Sequence, residues 1–487
     1  MENPRLWSAE EPYLYELRME VYDAAGKMQE VVASKIGFRR FEMKDGLMLL
    51  NGKRIVFKGV NRHEFSSLTG RVVSMEETLT DVVTMKRNNI NSIRTCHYPD
   101  NVGLYELCDI YGLYMIAENN MESHGSWDAA AMRKIADPQT IVPGDNPKWE
   151  ARMLDRVNSC YQRDKNHPAV LIWSCGNESY GGSVIYQMSE KFRELDPDRL
   201  VHYEGVYNDR RYNGSSDMES QMYTPVWKIR QYLEEHRDKP FILCEYTHAM
   251  GNSNGAMHKY TEYAYEEPLY QGGFIWDFID QSIRVKDRYG KDAYFYGGDF
   301  GERPADWDFS CNGIVFGDGS ESPKMQEVKY NYQSVFADVS RDSVTIRNHS
   351  LFTSTAAWRC VATLSRDGRE IARREIKTDV APGETATLPV PFPEQTRGGE
   401  YTVTLSFRQR EATEWAEAGY EVAFGQGTWR VEEKKTAGPA APVLVVDGFN
   451  NLGVTGEHFS VLFGDLKGGL TSYRWGGKEM LKSIPKP

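Results

Sequence analysis

The chain has 487 residues, of which 40% are hydrophobic and 26% are charged, and its formal net charge is −12. This length predicts roughly two to four domains of a globular protein. The negative charge argues against a nucleic-acid partner, because binding to a polyanion requires clustered Lys and Arg side chains. No apolar run approaches the roughly 20 residues of a membrane-spanning helix, so we expect no membrane partner.

The cysteines and the N-terminal residues point to a compartment. Seven cysteines are scattered along the chain without a Cys-x-x-Cys pair, which is typical of reduced, buried thiols rather than of disulfides or a zinc site. The first residues, MENPRLWSAEEPY, lack the basic and apolar regions of a signal peptide. We therefore expect a cytoplasmic protein.

The first 40 residues form the first predicted region. The stretch YLYELRMEVYD and the residues after it predict two or three β-strands. So few strands bury no core of their own, so residues 1–40 are interpreted as part of a larger β-domain.

Residues 41–335 alternate short apolar runs with helical patterns. Eight candidate strands can be identified, namely RIVFKGV, NSIRT, LYMIAE, AVLIWSC, LVHYE, ESQMY, PFILCEY and GGFIWDF. Between them lie helical stripes such as Leu104, Leu107, Cys108 and Tyr111. This alternation predicts an α/β fold, a (β/α)8 TIM barrel. A doubly wound parallel sheet is the alternative, and a Gly-rich phosphate loop after the first strand would favour it. The sequence has no such loop.

The apolar period changes from helical to two at about residue 336. Alternating patterns around Cys360 and Val403 predict that residues 336–435 form an antiparallel β-sandwich. Val431–Pro442 is a charged and then Pro/Ala-rich linker, and a further β-type segment follows it. Residues 436–487 are therefore predicted to be a linker and the start of another β-domain. The barrel is thus flanked by β-sandwich domains that are partial at both ends.

Polar side chains follow the predicted barrel strands, where barrel enzymes build their pockets. Glu178 follows the fourth strand in GNES, and Glu245 ends the seventh in FILCEY. Two carboxylates at one barrel mouth can cleave a glycosidic bond, since one protonates the leaving oxygen and the other attacks or activates water. A separation of roughly 5 Å would predict a retaining reaction. For either glutamate alone, a solvated or salt-bridged rim residue is the more ordinary interpretation.

Further candidates lie on the same rim. Glu122, His124 and Glu178 offer oxygen and imidazole ligands that could bind Mg²⁺, although an ordinary loop histidine is an equal alternative for His124. Trp276 is either a core residue or a flat apolar face for a sugar ring. The histidines at three other rim positions could donate hydrogen bonds to sugar hydroxyls or lie in the core, and they are His63, His97 and His248.

Long motifs carry a family resemblance over almost the whole chain. NRHE, CHYP, ENNMESHG, NHPAVLIWSCGNES, ILCEYTHAMGNSNG and QGGFIWDFIDQS resemble the large multidomain bacterial β-galactosidases of glycoside hydrolase family two. The HAMGNS run distinguishes these from the β-glucuronidases and β-mannosidases of the same family. A β-glucuronidase-like enzyme is the less favoured reading, and it predicts turnover of glucuronides.

The resemblance implies roles for individual residues. It implies a retaining β-galactosidase that acts on lactose and related β-galactosides, with Glu245 as nucleophile and Glu178 as general acid/base. It implies Mg²⁺ bound by Glu122, His124 and Glu178, and Na⁺ bound by Phe309 and Asn312. The residues that would contact galactose are His63, His97, Asn177, Tyr223, His248, Trp276 and Asn312.

The resemblance also implies differences from the family. Residues 1–40 are similar to the C-terminal part of an immunoglobulin-like sandwich, and the preceding jelly-roll domain is not in this sequence. Residues 336–435 are similar to a second immunoglobulin-like sandwich, and the large C-terminal β-domain is cut short. We therefore keep two hypotheses, an active β-galactosidase core and a silent or partner-dependent fragment that binds sugar or assembles with a complementary chain. A homo-oligomer or a complementary subunit is expected.

Overall fold

A computed structural model of the chain describes residues 2–305, 307–432 and 441–484. The chain forms two compact units, one of Met1–Glu394 with Glu400–Trp429 and one of Gln395–Gly399 with Arg430–Pro487. Most of the predicted linker Val431–Pro442 lies outside the described residues.

Two small antiparallel sheets precede the barrel. The first is a two-stranded ribbon, as predicted, and consists of β1 (Tyr15–Tyr22) and β2 (Met28–Ile36). The second contains three short strands, β3 (Phe41–Lys44), β4 (Leu47–Leu50) and β5 (Lys53–Arg54). The buried Gln271 amide joins this second sheet to the barrel, because it bonds to the backbone of Met48 and Ile55.

Eight parallel strands form the barrel, and each overlaps a predicted strand. They are β6 (Phe57–Arg62), β7 (Ser92–Thr95), β8 (Tyr114–Glu118), β9 (Val170–Ser174), β10 (Leu200–His202), β11 (Glu219–Met222), β12 (Phe241–Tyr246) and β13 (Tyr270–Ile275). Their order is β10-β9-β8-β7-β6-β13-β12-β11, so β10 and β11 are the two strands at its ends. The ring of His202 joins these two outer strands by a 2.8 Å hydrogen bond to Ser220. The barrel prediction is confirmed, and the doubly wound alternative is wrong.

The strand ends differ from the predicted ones. The first barrel strand continues beyond Val60 to Arg62, because the Arg62 side chain finds buried partners in Asp81 and Asp100. The fifth strand stops at His202, so Glu204 begins a 3₁₀ turn, Glu204–Tyr207, instead of ending the strand.

Helices lie between the barrel strands, and a final helix follows β13. They are α1 (Met75–Arg87), α2 (Val102–Tyr111), α3 (His124–Trp127), α4 (Pro147–Asp164), α5 (Ser183–Leu195), α6 (Val226–Glu235), α7 (His258–Glu266) and α8 (Lys324–Asn331). Local sequence fixes the start of α1, where Ser74 and Glu77 form a reciprocal capping box. The predicted stripe of α2 is confirmed for Leu104 and Cys108, which are fully buried.

A hairpin and two antiparallel sheets follow the barrel. The hairpin consists of β14 (Ile283–Lys286) and β15 (Asp292–Phe295). The first sheet contains β16 (Val335–Val339), β17 (Ser343–Asn348) and β20 (Thr385–Pro389); the second contains β18 (Trp358–Arg366), β19 (Arg369–Ile376), β21 (Gly399–Gln409) and β22 (Glu421–Val431). The predicted alternation is confirmed, since Cys360, Ala362, Val403 and Leu405 are buried.

The smaller unit contains a five-stranded antiparallel sheet. Its strands are β23 (Leu444–Asp447), β24 (Asn451–Thr455), β25 (Phe459–Gly464), β26 (Gly469–Trp475) and β27 (Lys478–Glu479). Across the described ranges, every helix is too short or too polar to span a lipid bilayer.

Candidate active site

Glu245 lies at the carboxyl end of β12 and is 5% exposed. Its two carboxylate oxygens have different partners. Oε1 accepts a 3.0 Å hydrogen bond from Arg94 Nη1, and Oε2 accepts a 2.5 Å hydrogen bond from the Tyr223 hydroxyl. The strand fixes the backbone and the two donors fix the side chain, so the carboxylate is held in one orientation.

Arg94 on β7 connects the residues beneath the barrel mouth. Its guanidinium is fully buried and forms a two-point ion pair with Glu118, at 2.9 and 3.1 Å. It also donates to the side-chain oxygens of Asn61 and Asn177, at 3.0 and 2.8 Å. Burial alone would raise the pKa of Glu118, but Arg94 and His97 hold it at about 2. One guanidinium thus positions both Glu245 and Asn177.

Glu178 lies just after β9, at the carboxyl end of that strand. Its backbone is left-handed, with φ of 31°, and its side chain is 30% exposed. One carboxylate oxygen lies 3.1 Å from Nδ1 of His124. Burial raises the pKa of Glu178, and the carboxylate of Glu245 raises it further, while His124 opposes both effects. The two predicted catalytic carboxyl groups are therefore close enough to interact electrostatically.

Aromatic rings form one side of the site. The His97 and Trp276 rings stack at 5.4 Å with an interplanar angle of 5°, and the His63 ring stands edge-on to both, 5.5 Å from each. The Nδ1 of His97 lies 2.8 Å from Glu118, and the Nδ1 of His63 lies 3.1 Å from the Tyr98 hydroxyl. Burial, with the neighbouring cations, lowers the pKa of His63 to about 3, so this ring is neutral. Such a surface offers apolar faces and hydrogen-bonding edges together.

His248 and Tyr223 lie on the other side of Glu245. Their ring centroids are 5.7 Å apart. Burial lowers the pKa of His248, against the raising effect of Glu245. Tyr223 is 42% exposed, so solvent reaches the site beside the buried carboxylate.

The other two predicted magnesium ligands, Glu122 and His124, lie near Glu178. Besides the His124 contact, Glu122 Oε1 accepts a 3.1 Å hydrogen bond from Asn177, and its charge raises the pKa of Glu178. Two carboxylates and one imidazole are a donor set that suits a hard divalent cation.

A different set of three residues, not the predicted magnesium ligands, has potential metal-ligand atoms that all lie within 4.8 Å of one another in the described part of the chain. It consists of His63, Cys96 and His97. Burial raises the pKa of Cys96 well above its usual range, so the thiol is neutral. The Nδ1 atoms of both histidines take part in hydrogen bonds, to Tyr98 and to Glu118, and we assign no metal to this set.

The two predicted sodium ligands lie together beyond β13. The Asn312 amide donates a hydrogen bond to the backbone oxygen of Phe309. Asn312 Oδ1 is buried and has no hydrogen-bond partner among the described residues. A carbonyl oxygen and an orphaned amide oxygen at one place fit a small monovalent cation.

The structure thus places the predicted residues at or shortly after the carboxyl ends of the barrel strands, except Phe309 and Asn312, which lie further along the chain, and it adds others. The sequence pattern predicts no role for Arg94, Asn61 and Glu204, although Arg94 stands out as a charged residue within the strand NSIRT. An arginine in a buried strand requires carboxylate partners, and this signal could have identified it with Glu118.

This architecture, a parallel barrel with two carboxyl groups at its mouth, is shared with a known enzyme family. The sequence profile described as the TIM barrel domain of glycosyl hydrolases family 2 matches residues 41–337, and a second profile of that family matches residues 1–39. A profile described as β-galactosidase, domain 4, matches residues 344–430. The chain therefore belongs to glycosyl hydrolase family 2.

Similar proteins carry one recurring name. A β-galactosidase from Halalkalibacterium halodurans is 50% identical over 100% of this chain and 48% of its own length, and one from Clostridium acetobutylicum is 47% identical over 100% and 54%. A protein named β-galactosidase large subunit, from Leuconostoc lactis, is 50% identical over 67% of this chain and 52% of its own length. The chain spans about half the length of these relatives.

Solved structures share the fold at low identity. A β-glucuronidase from Bacteroides uniformis has a TM-score of 0.53 at 17% identity, covering 88% of this chain and 52% of its own. A family 2 β-galacturonidase from Eisenbergiella tayi has a TM-score of 0.53 at 22% identity, covering 68% and 60%.

Proposed function

We propose that this chain forms the catalytic part of a retaining β-galactosidase that hydrolyses terminal β-D-galactosyl residues, as in lactose. The observation that carries the proposal is the different environment of two neighbouring carboxyl groups. Glu245 accepts hydrogen bonds from Arg94 and Tyr223, which suits an ionised nucleophile. The pKa of Glu178 is raised by burial and by Glu245, which suits an acid that is still protonated when substrate binds.

The proposed reaction has two steps. In the first, Glu245 attacks the anomeric carbon while Glu178 protonates the departing oxygen, and a covalent galactosyl-enzyme forms. In the second, Glu178 takes a proton from water, which attacks the same carbon and releases galactose with its configuration retained. The raised pKa of Glu178 falls once Glu245 becomes a neutral ester, and this change favours the switch from acid to base.

The pocket residues give the proposed galactose specificity. The stacked pair His97 and Trp276 presents a face for the C–H groups of a pyranose, and the remaining polar contacts are proposed for His63, Asn177, Tyr223, His248 and Asn312. The relatives that cover the whole chain at 43–50% identity and bear the name β-galactosidase support this sugar over a glucuronide.

Two cations are proposed at the site. Glu122, His124 and Glu178 would hold Mg²⁺, and Phe309 with Asn312 would hold Na⁺; the orphaned Asn312 oxygen supports the second assignment. When bound, Mg²⁺ would supply positive charge beside the acid/base carboxyl group. The chain's own contribution is orientation, since His124 and Asn177 hold Glu178 and Glu122 in place.

A second polypeptide is proposed as a partner. The relatives named large subunit are 49–50% identical to this chain over 67% of its length. The β1–β2 ribbon exposes large apolar side chains, which supports a covering segment, and they are Leu17, Met19, Val21, Val31 and Val32. A homo-oligomer remains the alternative arrangement. We also propose a cytoplasmic location, since all seven cysteines lie among the described residues as free thiols.

Assays with nitrophenyl glycosides test the proposal. We expect the purified chain, with Mg²⁺ and with or without the complementary segment, to hydrolyse nitrophenyl β-galactoside and not the glucuronide or the mannoside. The partner-dependent hypothesis predicts activity only with the complementary segment. We expect Glu245→Gln to lower kcat by at least about 10³-fold. Near-normal turnover by that variant, or a preference of the wild type for glucuronide, would contradict the proposal.

A further inference from the structure

Glu204 is a buried carboxyl group next to Glu178, and the proposed reaction gives it no task. It is 1% exposed and begins the 3₁₀ turn that follows β10. Its Oε1 accepts a 2.7 Å hydrogen bond from the backbone N–H of Glu178. Burying a carboxyl group costs free energy unless the group is hydrogen-bonded. The hydrogen-bond partner of Glu204 therefore indicates its role.

The backbone that receives this bond is unusual. Glu178 has a left-handed φ of 31°, which a residue with a side chain adopts only when its surroundings enforce it. Gly176, with φ of 144°, precedes it in the same turn. A further hydrogen bond lies within this turn, where the Ser179 hydroxyl donates to the backbone oxygen of Asn177 at 2.8 Å.

Two side chains from different elements bond to the main chain of Glu178. The carboxyl group of Glu204 accepts from its N–H, and the indole Nε1 of Trp127, on α3, donates to its carbonyl oxygen at 2.7 Å. The peptide groups on both sides of the Glu178 Cα are therefore held. Because a side chain leaves the main chain at Cα, these two bonds fix the direction of the Glu178 Cα–Cβ bond, and the contact with His124 then orients the carboxyl group at its end.

We propose that Glu204 is a positioning residue that, together with Trp127, aims the acid/base carboxyl group of Glu178 at the departing oxygen. This inference rests on the proposed function. It concerns proton donation to the leaving group, so losing Glu204 should matter in proportion to how much the leaving group needs a proton. A role that is only structural would affect all substrates alike.

The test compares two galactosides by kcat/KM, which reports the step that breaks the glycosidic bond. Methyl β-galactoside needs protonation of its leaving oxygen, and 2,4-dinitrophenyl β-galactoside does not. We expect Glu204→Leu to lower kcat/KM by about 10²-fold for the methyl substrate, since general acid catalysis and its alignment contribute that much. For the dinitrophenyl substrate we expect a change within about 3-fold.

Two further variants keep the test decisive if Glu204→Leu does not fold. Glu204→Gln retains an oxygen that can accept the Glu178 N–H, so we expect it to keep activity on both substrates within about 5-fold. Trp127→Phe removes the indole N–H donor and keeps an aromatic ring beside His124, and we expect a selective loss of about 10-fold on the methyl substrate.

The matched control is Glu219→Leu. Glu219 is another buried carboxyl group, but its oxygens bond to Arg210 at 2.8 Å and not to the backbone of Glu178. We expect this variant to change both kcat/KM values by one common factor.

The outcomes separate this inference from the proposed function. Equal losses on both substrates, no loss on either, or a Glu204→Gln variant as impaired as Glu204→Leu would overturn the positioning role. If the wild-type chain hydrolyses neither galactoside, alone or with its complementary segment, the proposed function fails and this role fails with it.

Discussion

The hydroxyl of Tyr223 donates a 2.5 Å hydrogen bond to Oε2 of Glu245, the oxygen that Arg94 does not contact. Tyr223 follows β11 in a left-handed conformation, with φ of 54°, and its N–H donates to the backbone oxygen of Glu245 at 2.8 Å. The tyrosine is thus attached to the nucleophile's residue twice, through its side chain and through its main chain.

Removing the phenolic hydroxyl of Tyr223 should therefore impair catalysis without unfolding the chain. A hydrogen bond to a charged group is worth about 1.5–3 kcal/mol, so we expect Tyr223→Phe to lower kcat by about 10- to 100-fold. The main-chain bond persists in this variant, and the midpoint of thermal unfolding should stay near that of the wild type. Tyr289→Phe, on the exposed turn of the β14–β15 hairpin, is the control. A Tyr223→Phe enzyme with wild-type kcat would contradict the assignment.

Loss of Arg94 should reduce stability as well as activity. The substitution Arg94→Met leaves the buried carboxylates of Glu118 and Glu245 without their cation, and breaking a buried pair costs about 3–5 kcal/mol. Urea unfolding measures this loss. The double variant Arg94→Met/Glu118→Gln should recover part of it, because one uncompensated charge is removed.

The control for Arg94 is an exposed ion pair. Arg18 pairs with Glu20 at 2.7 Å on the β1–β2 ribbon, where both partners contact solvent. Arg18→Met should change the free energy of unfolding by less than about 1 kcal/mol. Similar losses in the free energy of unfolding for Arg94→Met and Arg18→Met would contradict the prediction that the buried ion pairs stabilise the fold more than the exposed one.

Acid should destabilise the barrel through His202. This ring is fully buried, with hydrogen bonds to Ser174 and Ser220 at 2.9 and 2.8 Å, and burial lowers its pKa from 6.5 to about 3. Below pH 6.5 the His202 imidazole is protonated in the unfolded chain, whereas in the folded chain it stays neutral down to about pH 3. Stability is therefore lost as pH falls through this window, by about 2 kcal/mol between pH 6 and pH 4.5.

The measurement is the pH dependence of the free energy of unfolding. We expect His202→Gln to show a shallower slope than the wild type between pH 6 and pH 4.5. His236→Gln, at an exposed position after α6, should retain the wild-type slope. Parallel slopes for His202→Gln and the wild type would contradict the prediction.

The sequence predicts the fold well because several barrel strands, such as Val170–Ser174 and Phe241–Tyr246, contain continuous apolar runs. Such runs are typical of parallel strands that are buried on both faces, and the polar residues directly after them, such as Glu178 and Glu245, stand out. The least accurate predictions are strand ends. Arg62 extends the first strand because it reaches two carboxylates from other parts of the chain, and a local pattern does not contain that information.

The support around the catalytic pair is harder to predict for the same reason. Arg94 contacts Glu118 and Glu245, which are 24 and 151 residues away in the sequence. Glu204 follows a strand pattern in the sequence as Glu245 does, but in the structure Glu204 begins a 3₁₀ turn and Glu245 lies within β12. Residue type and spacing identify candidates at the rim, but the partner of each candidate depends on the three-dimensional arrangement of the strands.

Trapping the covalent intermediate tests the central claim most directly. A dinitrophenyl 2-deoxy-2-fluoro-β-galactoside carries a good leaving group, and its fluorine slows the second step, so a galactosyl-enzyme should accumulate. We predict that peptide mass spectrometry finds one 2-deoxy-2-fluorogalactosyl group, on Glu245, and none in the Glu245→Gln variant. A label on any other residue, or steady hydrolysis of galactosides by a chain that never becomes labelled, would contradict the account.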